Sequence, residues 1–145
     1  MPEIGKIISQ YEEKGDLVPD SIIKELFGQI IDENLEGKGI ILDGYPRTKP
    51  QVDNLIELIT SKGLKVSKVL NIDLPTAELL IRAKNRALTS SRKDDKSTQI
   101  HQKRIDVFQK YTSPGIQYMK SNFDFISFSG IGSIDEITEK IKSYL

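Results

Sequence analysis

The chain has 145 residues, a length that suits one domain with a hydrophobic core of its own. Its 21 basic and 21 acidic residues balance, so we expect neither nucleic acid nor a membrane as a partner. The lack of cysteine excludes disulfides and thiolate chemistry, and the single histidine, His101, is expected on the solvent side of a helix. No apolar run approaches the roughly 20 residues of a membrane span and no signal-peptide pattern opens the chain, so a cytoplasmic location is expected.

The first third of the chain predicts two helices and a strand. Apolar residues at helical spacing predict one helix over residues 4–13 and, after a break at Gly15 and Pro19, a second helix that begins near Asp20. The run "IILD", residues 40–43, is wholly apolar up to its closing acid. Such a run is typical of a strand buried in a parallel sheet.

Further along, helical and strand patterns alternate. Strands are predicted over residues 66–74 and 123–129. Helices are predicted over residues 50–62, with Gly63 as the stop, and from Pro75 to about Leu88. Another helix is predicted over 98–111, and a short one follows an interruption at Pro114 and reaches about Lys120. A last helix is predicted to begin at the capping pair Ser133 and Glu136. This alternation predicts an α/β fold with a parallel sheet between helical layers, in one domain spanning residues 1–145.

Arginine is scarce and confined to the middle of the chain. Of the 21 basic residues only five are arginines, namely Arg47, Arg82, Arg86, Arg92 and Arg104. Because the guanidinium fork suits a bidentate grip on phosphate, a chain that otherwise uses lysine is expected to keep arginine for such a task. A chance distribution in a small sample is the alternative.

One strand end combines an acid with an arginine. Asp43 closes the predicted "IILD" strand, and Arg47 follows after the turn "GYP". Ligands of α/β sheets lie beyond the carboxyl ends of the strands, where an acid can hold Mg²⁺ through water and an arginine can bind phosphate. The residues alone leave open an aspartate that caps its own turn and an arginine in a surface ion pair.

Two further groups of charges admit two interpretations each. Arg82 and Arg86 lie one helical turn apart, so an anion could bridge them, or Glu78 could neutralise a solvated face. The segment "SSRKDD", residues 90–95, could act as a lid that closes through ion pairs, or it could be a solvated loop.

Taken together, these motifs resemble the adenylate kinase family. "GDLVPD", "ILDGYPRTKPQ", the Arg82/Arg86 pair, "RKDD" and "KRIDVFQKYTSP" occur in the order and spacing of that family, from about residue 3 to the end of the chain. The short stretch between Arg86 and Arg92 resembles the form with a short lid. The resemblance implies the three-layer parallel sheet of P-loop nucleoside monophosphate kinases, and reversible phosphoryl transfer from ATP to AMP with Mg²⁺ as cofactor.

The resemblance also implies roles for single residues. AMP would contact Asp16, Leu17, Val18, Gly44, Tyr45, Pro46, Arg47, Gln51, Arg92 and Arg104, with Gln51 on the adenine and Arg47 on the phosphate. ATP would contact Arg82, Arg86 and Gly132. The catalytic set would be Arg47, Arg86, Arg92, Arg104 and Asp43, with Asp43 holding Mg²⁺ through water. Asp94 and Asp95 would belong to the lid. Residues 1–38 would form part of the acceptor-binding region, residues 39–88 and 105–145 the core, and residues 89–104 the lid.

The chain departs from the family in several places. Tyr45 stands where the family usually has phenylalanine, and "SSR" replaces the usual glycine before Arg92. No G-x-x-x-x-G-K-[ST] phosphate loop occurs in the sequence. We therefore expect the central phosphate-loop strand to be absent from this chain, the chain to be truncated or incomplete as a kinase, and its exposed strand edges to recruit a partner chain or a second copy. A degenerate AMP-binding regulatory module and a UMP/CMP-type kinase remain alternatives.

Overall fold

The computed structural model describes residues 2–34, 39–89 and 98–145, which form a mostly helical chain with a small sheet. In chain order the elements are α1 (Pro2–Lys14), α2 (Asp20–Asn34), α3 (Lys49–Ser61), β1 (Val69–Asp73), α4 (Thr76–Thr89), α5 (Thr98–Val107), a π-helical turn (Phe108–Thr112), α6 (Ser113–Asn122), β2 (Phe125–Ser129) and α7 (Ile134–Tyr144). Every predicted helix over the described residues is present, with ends shifted by a few residues.

The two strands pair directly and in parallel. Val69 lies opposite Phe125, and the register runs without a break to Asp73 opposite Ser129. One more hydrogen bond, 2.8 Å from the Gly130 N–H to the Asp73 carbonyl, continues the ladder past the last pair. The carboxyl ends of both strands therefore meet at one edge of the sheet, and the strands predicted over 66–74 and 123–129 are confirmed in shortened form.

The prediction of a strand over residues 40–43 is wrong for the described chain. These residues have no strand assignment, and Ile41 is 85% exposed. A strand is defined by its pairing with a neighbour, and the sheet of the described residues contains β1 and β2 only. An apolar run indicates that a segment can be buried in a sheet, but it does not identify the neighbour that would pair with it.

Pro114 does not interrupt the helix that contains it, contrary to the sequence prediction. The chain continues from α5 through the π-helical turn into α6, where Pro114 lies in the first turn. The Ser113 N–H bonds to the carbonyl of Phe108, five residues earlier. This wider turn immediately precedes the proline, whose ring has no N–H to donate to the preceding turn.

The core of the described residues is small. Ile31, Val52, Leu55 and Met119 are buried where α2, α3 and α6 meet, and Phe128 of β2 is buried beside the sheet. His101 is only 8% exposed, so its predicted solvent-side position is wrong. Helix α5 has little apolar periodicity, so the sequence pattern could not indicate which of its faces packs inward.

Helix α7 begins with the predicted capping box. The Glu136 N–H donates to Ser133 Oγ (3.2 Å), and the Ser133 N–H donates to Glu136 Oε2 (2.8 Å). The Ser133 hydroxyl also donates to Glu136 Oε2 (3.0 Å). The backbone and side-chain bonds from Ser133 lower the pKa of the Glu136 carboxyl, because both stabilise its ionised form.

Replacing Ser133 by alanine is expected to lower the free energy of unfolding by about 1 kcal/mol, because the α7 N-terminus loses its cap. Urea denaturation at pH 7 measures the loss. The pKa of Glu136 is lower in the folded state than in the unfolded state. Its contribution to the free energy of unfolding is therefore present above the unfolded-state pKa and disappears as the pH falls through the folded-state pKa. Ser143→Ala, an exposed change within the same helix, should move the unfolding free energy by less than about 0.5 kcal/mol; an equal loss in both variants would contradict the capping argument.

Within the described ranges, no helix is both long enough and apolar enough to cross a membrane.

Candidate functional site

The turn over residues 43–48 holds the guanidinium of Arg47 against the backbone. Gly44 has a φ of 72°, the left-handed region that suits glycine, and the Tyr45–Pro46 peptide bond is cis. Arg47 Nε donates to the Gly44 carbonyl at 2.6 Å. Because Nε alone is used in this bond, the four N–H donors of the two terminal nitrogens are not part of it. The side chain is thereby oriented in an exposed turn.

Gln51, in the first turn of α3, joins this turn to α2. Its side chain is 4% exposed. The carboxamide oxygen accepts from the Arg47 N–H at 2.7 Å, and the carboxamide nitrogen donates to Asp20 Oδ1 at 2.8 Å. Thr48 caps α3 by accepting from the Gln51 N–H at 3.3 Å. The predicted acceptor-site residues Arg47 and Gln51 are therefore in direct contact, and Asp20 is a partner that the sequence interpretation assigned only to a helix start.

Tyr45 packs over the same junction. Its ring stacks on Phe27 of α2 with centroids 4.0 Å apart and an angle of 22° between the planes. Its hydroxyl donates to the Gln51 carbonyl at 3.2 Å. Burial and, secondarily, the charge of Asp20 raise the pKa of Tyr45 to about 12. The hydroxyl that distinguishes Tyr45 from the usual phenylalanine thus has a bonding partner in this chain.

Gly115 is a positioning residue that sequence reasoning missed. It is buried near the start of α6, where the helix approaches the turn that carries Arg47. A methyl group at this position would lie 3.1 Å from the carbonyl carbon of Thr48 and 3.2 Å from the carbonyl oxygen of Arg47. A glycine that follows a proline in a helical pattern is the only sequence signal for such a close approach.

Gly115→Ala is expected to lower the free energy of unfolding by about 1–3 kcal/mol, because the atoms it would meet are backbone and cannot rotate away. Chemical denaturation measures this loss. Gly28→Ala is the matched control, since Gly28 lies inside α2 with nothing within 4 Å of an added methyl group. There the better helix propensity of alanine should stabilise the protein by about 0.5–1 kcal/mol, so a loss at Gly28 would weaken the packing argument.

The predicted AMP segment Asp16–Val18 lies beside Arg104. Gly15, with a φ of 71°, turns the chain between α1 and α2. A methyl group there would lie 3.1 Å from Ile100 Cγ2 and 3.3 Å from Arg104 Cγ, so α5 packs directly on this turn. Lys103 Nζ also lies 2.6 Å from Asp16 Oδ1. The structure thus brings two predicted acceptor-side elements together.

The predicted ATP-side residues Arg82 and Gly132 lie on neighbouring segments. Arg82 Nε donates to Glu78 Oε1 at 2.8 Å, so Glu78 is the counter-ion of Arg82, one of the two interpretations that the sequence allowed. Arg82 Nη2 donates to the Gly130 carbonyl at 2.9 Å. Gly132, two residues further on, has a φ of 139°. Arg86 lies one turn beyond Arg82 on α4, with an exposed side chain.

A concave region of about 360 Å³ opens at the carboxyl ends of the two strands. It is lined by Asp73, Leu74, Pro75, Ser127, Phe128, Ser129 and Ile131. This is the edge of a parallel sheet at which ligands are expected.

Comparison with known proteins identifies the family. The adenylate kinase family model matches residues 1–123. Adenylate kinase from Parabacteroides distasonis is 37% identical over 140 residues, which are 97% of this chain and 73% of that protein. Adenylate kinase from Bacteroides fragilis is 34% identical over 139 residues (96% and 73%), and that from Flavobacterium psychrophilum is 32% identical over 143 residues (99% and 75%).

The chain belongs to the adenylate kinase family. Membership confirms the family resemblance and implies the α/β fold of P-loop nucleoside monophosphate kinases, with which the parallel pair of β1 and β2 agrees. The relatives support a phosphotransferase that acts on nucleotides.

Within this family the residues present fit the predicted Mg²⁺ site. Asp43 is exposed at the start of the 43–48 turn, four residues from Arg47. The described part of the chain holds no cluster of three or more histidine or acidic side chains that could enclose a metal ion. Mg²⁺ is usually held by one or two carboxylates, water and substrate phosphates, and a single exposed aspartate suits that mode.

Three predicted residues of the adenylate kinase site, Arg92, Asp94 and Asp95, lie outside the described residues, as does half of the predicted lid, residues 90–97 of 89–104. The assignment of all five arginines to the ATP and AMP sites and the division of the chain into acceptor region, core and lid therefore stay predictions.

Proposed function

We propose that this chain takes part in reversible phosphoryl transfer from ATP to AMP, giving two ADP, in the cytoplasm. The observation that carries the proposal is the bonded arrangement of Arg47, Gln51 and Asp20 in a chain of the adenylate kinase family. Arg47 binds the AMP phosphate, Gln51 the adenine, and residues 16–18 border the base. Arg82 and the turn at Gly132 serve the ATP side.

The proposed chemistry suits an arginine-rich site. In phosphoryl transfer the charge of the moving group is spread over several oxygens, so catalysis consists mainly of positioning and of electrostatic stabilisation by cations. Mg²⁺, held through water by Asp43, supplies part of that positive charge when bound. Arg86, Arg92 and Arg104 supply the rest as N–H donors that need no proton transfer.

The polypeptide of these 145 residues is proposed to bind AMP but to transfer phosphate slowly by itself. Its sequence contains no glycine-rich loop of the type that cradles ATP phosphates through backbone amides and a lysine. Each lost donor to a developing negative charge costs about 10²–10³ in rate. Exposed apolar residues such as Ile41 are proposed to contact a partner chain or a second copy.

Two measurements on the purified chain test this function. Calorimetry should give a dissociation constant for AMP below about 1 mM, with weaker binding of UMP and CMP. A coupled ADP-formation assay should give turnover at least about 10²-fold below the 1–100 s⁻¹ typical of kinases. Tighter binding of UMP or CMP would favour the pyrimidine-type alternative, and ordinary turnover would refute the proposed dependence on a phosphate loop.

A further inference from the structure

The carboxamide of Gln51 is held between two partners that each bond in one direction only. The Asp20 carboxylate accepts hydrogen bonds, and the Arg47 N–H donates them. The nitrogen of the amide must therefore face Asp20 (2.8 Å), and its oxygen must face the backbone of Arg47 (2.7 Å). The chemistry of the partners thus determines an orientation that is often ambiguous for glutamine.

Burial makes this orientation costly to change. Gln51 is 4% exposed, so there is little solvent to replace a lost partner. A flipped amide would place its NH₂ against the Arg47 N–H and its oxygen against the Asp20 carboxylate, and both contacts are repulsive. The stacked rings of Phe27 and Tyr45 pack over the same junction between α2 and the turn.

By valence, each amide atom can make one hydrogen bond more than these contacts use. The nitrogen has a second hydrogen and the oxygen a second lone pair, which together present a donor beside an acceptor in a fixed order. The Watson–Crick edge of adenine offers an acceptor (N1) beside a donor (the 6-amino group). Hypoxanthine offers the reverse order, a donor (N1–H) beside an acceptor (O6), so in the same pose it needs a flipped amide.

We propose that Asp20 is a positioning residue that fixes the orientation of the Gln51 amide and thereby selects a 6-amino over a 6-oxo purine as the acceptor base. The inference rests on the proposed function, since it assumes that Gln51 meets the base of the acceptor nucleotide. Asp20 touches no substrate and acts through Gln51.

The test compares AMP with inosine monophosphate, which has the same ribose and phosphate. In Asp20→Asn the side chain keeps its shape but can also donate, so one of the two contacts that oppose a flipped amide is relieved, while the Arg47 N–H still opposes it. The ratio of AMP to inosine monophosphate affinity, measured by calorimetry on the full chain, is expected to fall about tenfold. Asp53→Asn, which removes an exposed carboxylate bonded to Tyr118 two residues beyond Gln51, is the matched control and should leave the ratio unchanged.

Nuclear magnetic resonance supplies a readout that needs no nucleotide. The side-chain NH₂ signals of Gln51 should shift in Asp20→Asn and stay in place in Asp53→Asn. Unmoved signals in Asp20→Asn, or an unchanged affinity ratio in a chain that binds AMP, would overturn the inference and leave the proposed function standing. If the unmodified chain binds neither nucleotide, the proposed function fails and the selection of the base fails with it.

Discussion

Arg47→Ala is expected to weaken AMP binding by about 10- to 100-fold, because hydrogen bonds to a charged group contribute about 1.5–3 kcal/mol. The Arg47 guanidinium is already oriented by the bond from Nε to the Gly44 carbonyl, so little side-chain freedom is lost when phosphate binds its remaining donors. Calorimetry with AMP measures the change. Adenosine, which lacks the phosphate, should lose little affinity in the same variant.

Two variants separate the geometry of Arg47 from its charge. Arg47→Lys keeps the charge and loses the fork, so an intermediate loss of AMP affinity is expected. Lys49→Ala removes a charge two residues away, from a side chain that lies over the Tyr118 ring, and should change AMP affinity by less than about threefold. If Lys49→Ala weakened AMP binding as much as Arg47→Ala, a general positive field would explain the effect better than a specific contact.

The backbone bond that orients Arg47 can be tested through a pair of glycines. Gly44 and Gly39 both have positive φ, at 72° and 77°. A methyl group at Gly44 would lie 3.0 Å from Arg47 Nη2, whereas one at Gly39 meets nothing within 4 Å. Both alanine variants should lose about 1–2 kcal/mol of stability from backbone strain. Only Gly44→Ala is expected to weaken AMP binding as well, and equal AMP affinities in the two variants would show that Arg47 does not need this turn.

The elements that could be predicted from the sequence are those with a local signal. Residues 50–62 carry an apolar stripe at helical spacing and a stop at Gly63, and α3 forms over Lys49–Ser61. The capping pair Ser133 and Glu136 is likewise a local pattern, and both of its bonds form. The "IILD" prediction was wrong because strand pairing is a property of two segments, and only one of them could be seen in the run itself.

The residues of the candidate site divide in the same way, into those with a local sequence signal and those without one. The turn "GYPR" and Gln51 were recognised because their types and spacing form a motif, and the structure places them in direct contact. Asp20 was predicted only as a helix start, because nothing in the sequence indicates that α2 and α3 lie side by side. Gly115 was missed for a related reason, since its function is to leave room for backbone that lies 67 residues earlier at Thr48.

Leu55→Ala is expected to lower the free energy of unfolding by about 2–5 kcal/mol, the range for a buried leucine whose removal leaves a cavity. Leu55 is 3% exposed and lies on α3, which packs against both α2 and α6. The described residues bury only five apolar side chains, so neighbouring ones can do little to compensate. Since a natural domain has about 5–15 kcal/mol in total, this loss is a large fraction of the stability of the chain. Urea titration followed by circular dichroism at 222 nm measures the loss.

Leu88→Ala is the matched control for this effect. Leu88 lies near the end of α4 and is 84% exposed, so truncation leaves no cavity and alanine favours the helix slightly. Its free energy of unfolding should change by less than about 0.5 kcal/mol. Because α3 carries Gln51 at its first turn and Leu55 one turn later, a chain that loses the Leu55 packing should also lose AMP affinity as α3 loosens from α2. A Leu55→Ala chain as stable as Leu88→Ala would mean that α3 is not held by this core, and that the bond between Asp20 and Gln51 must position the acceptor site without it.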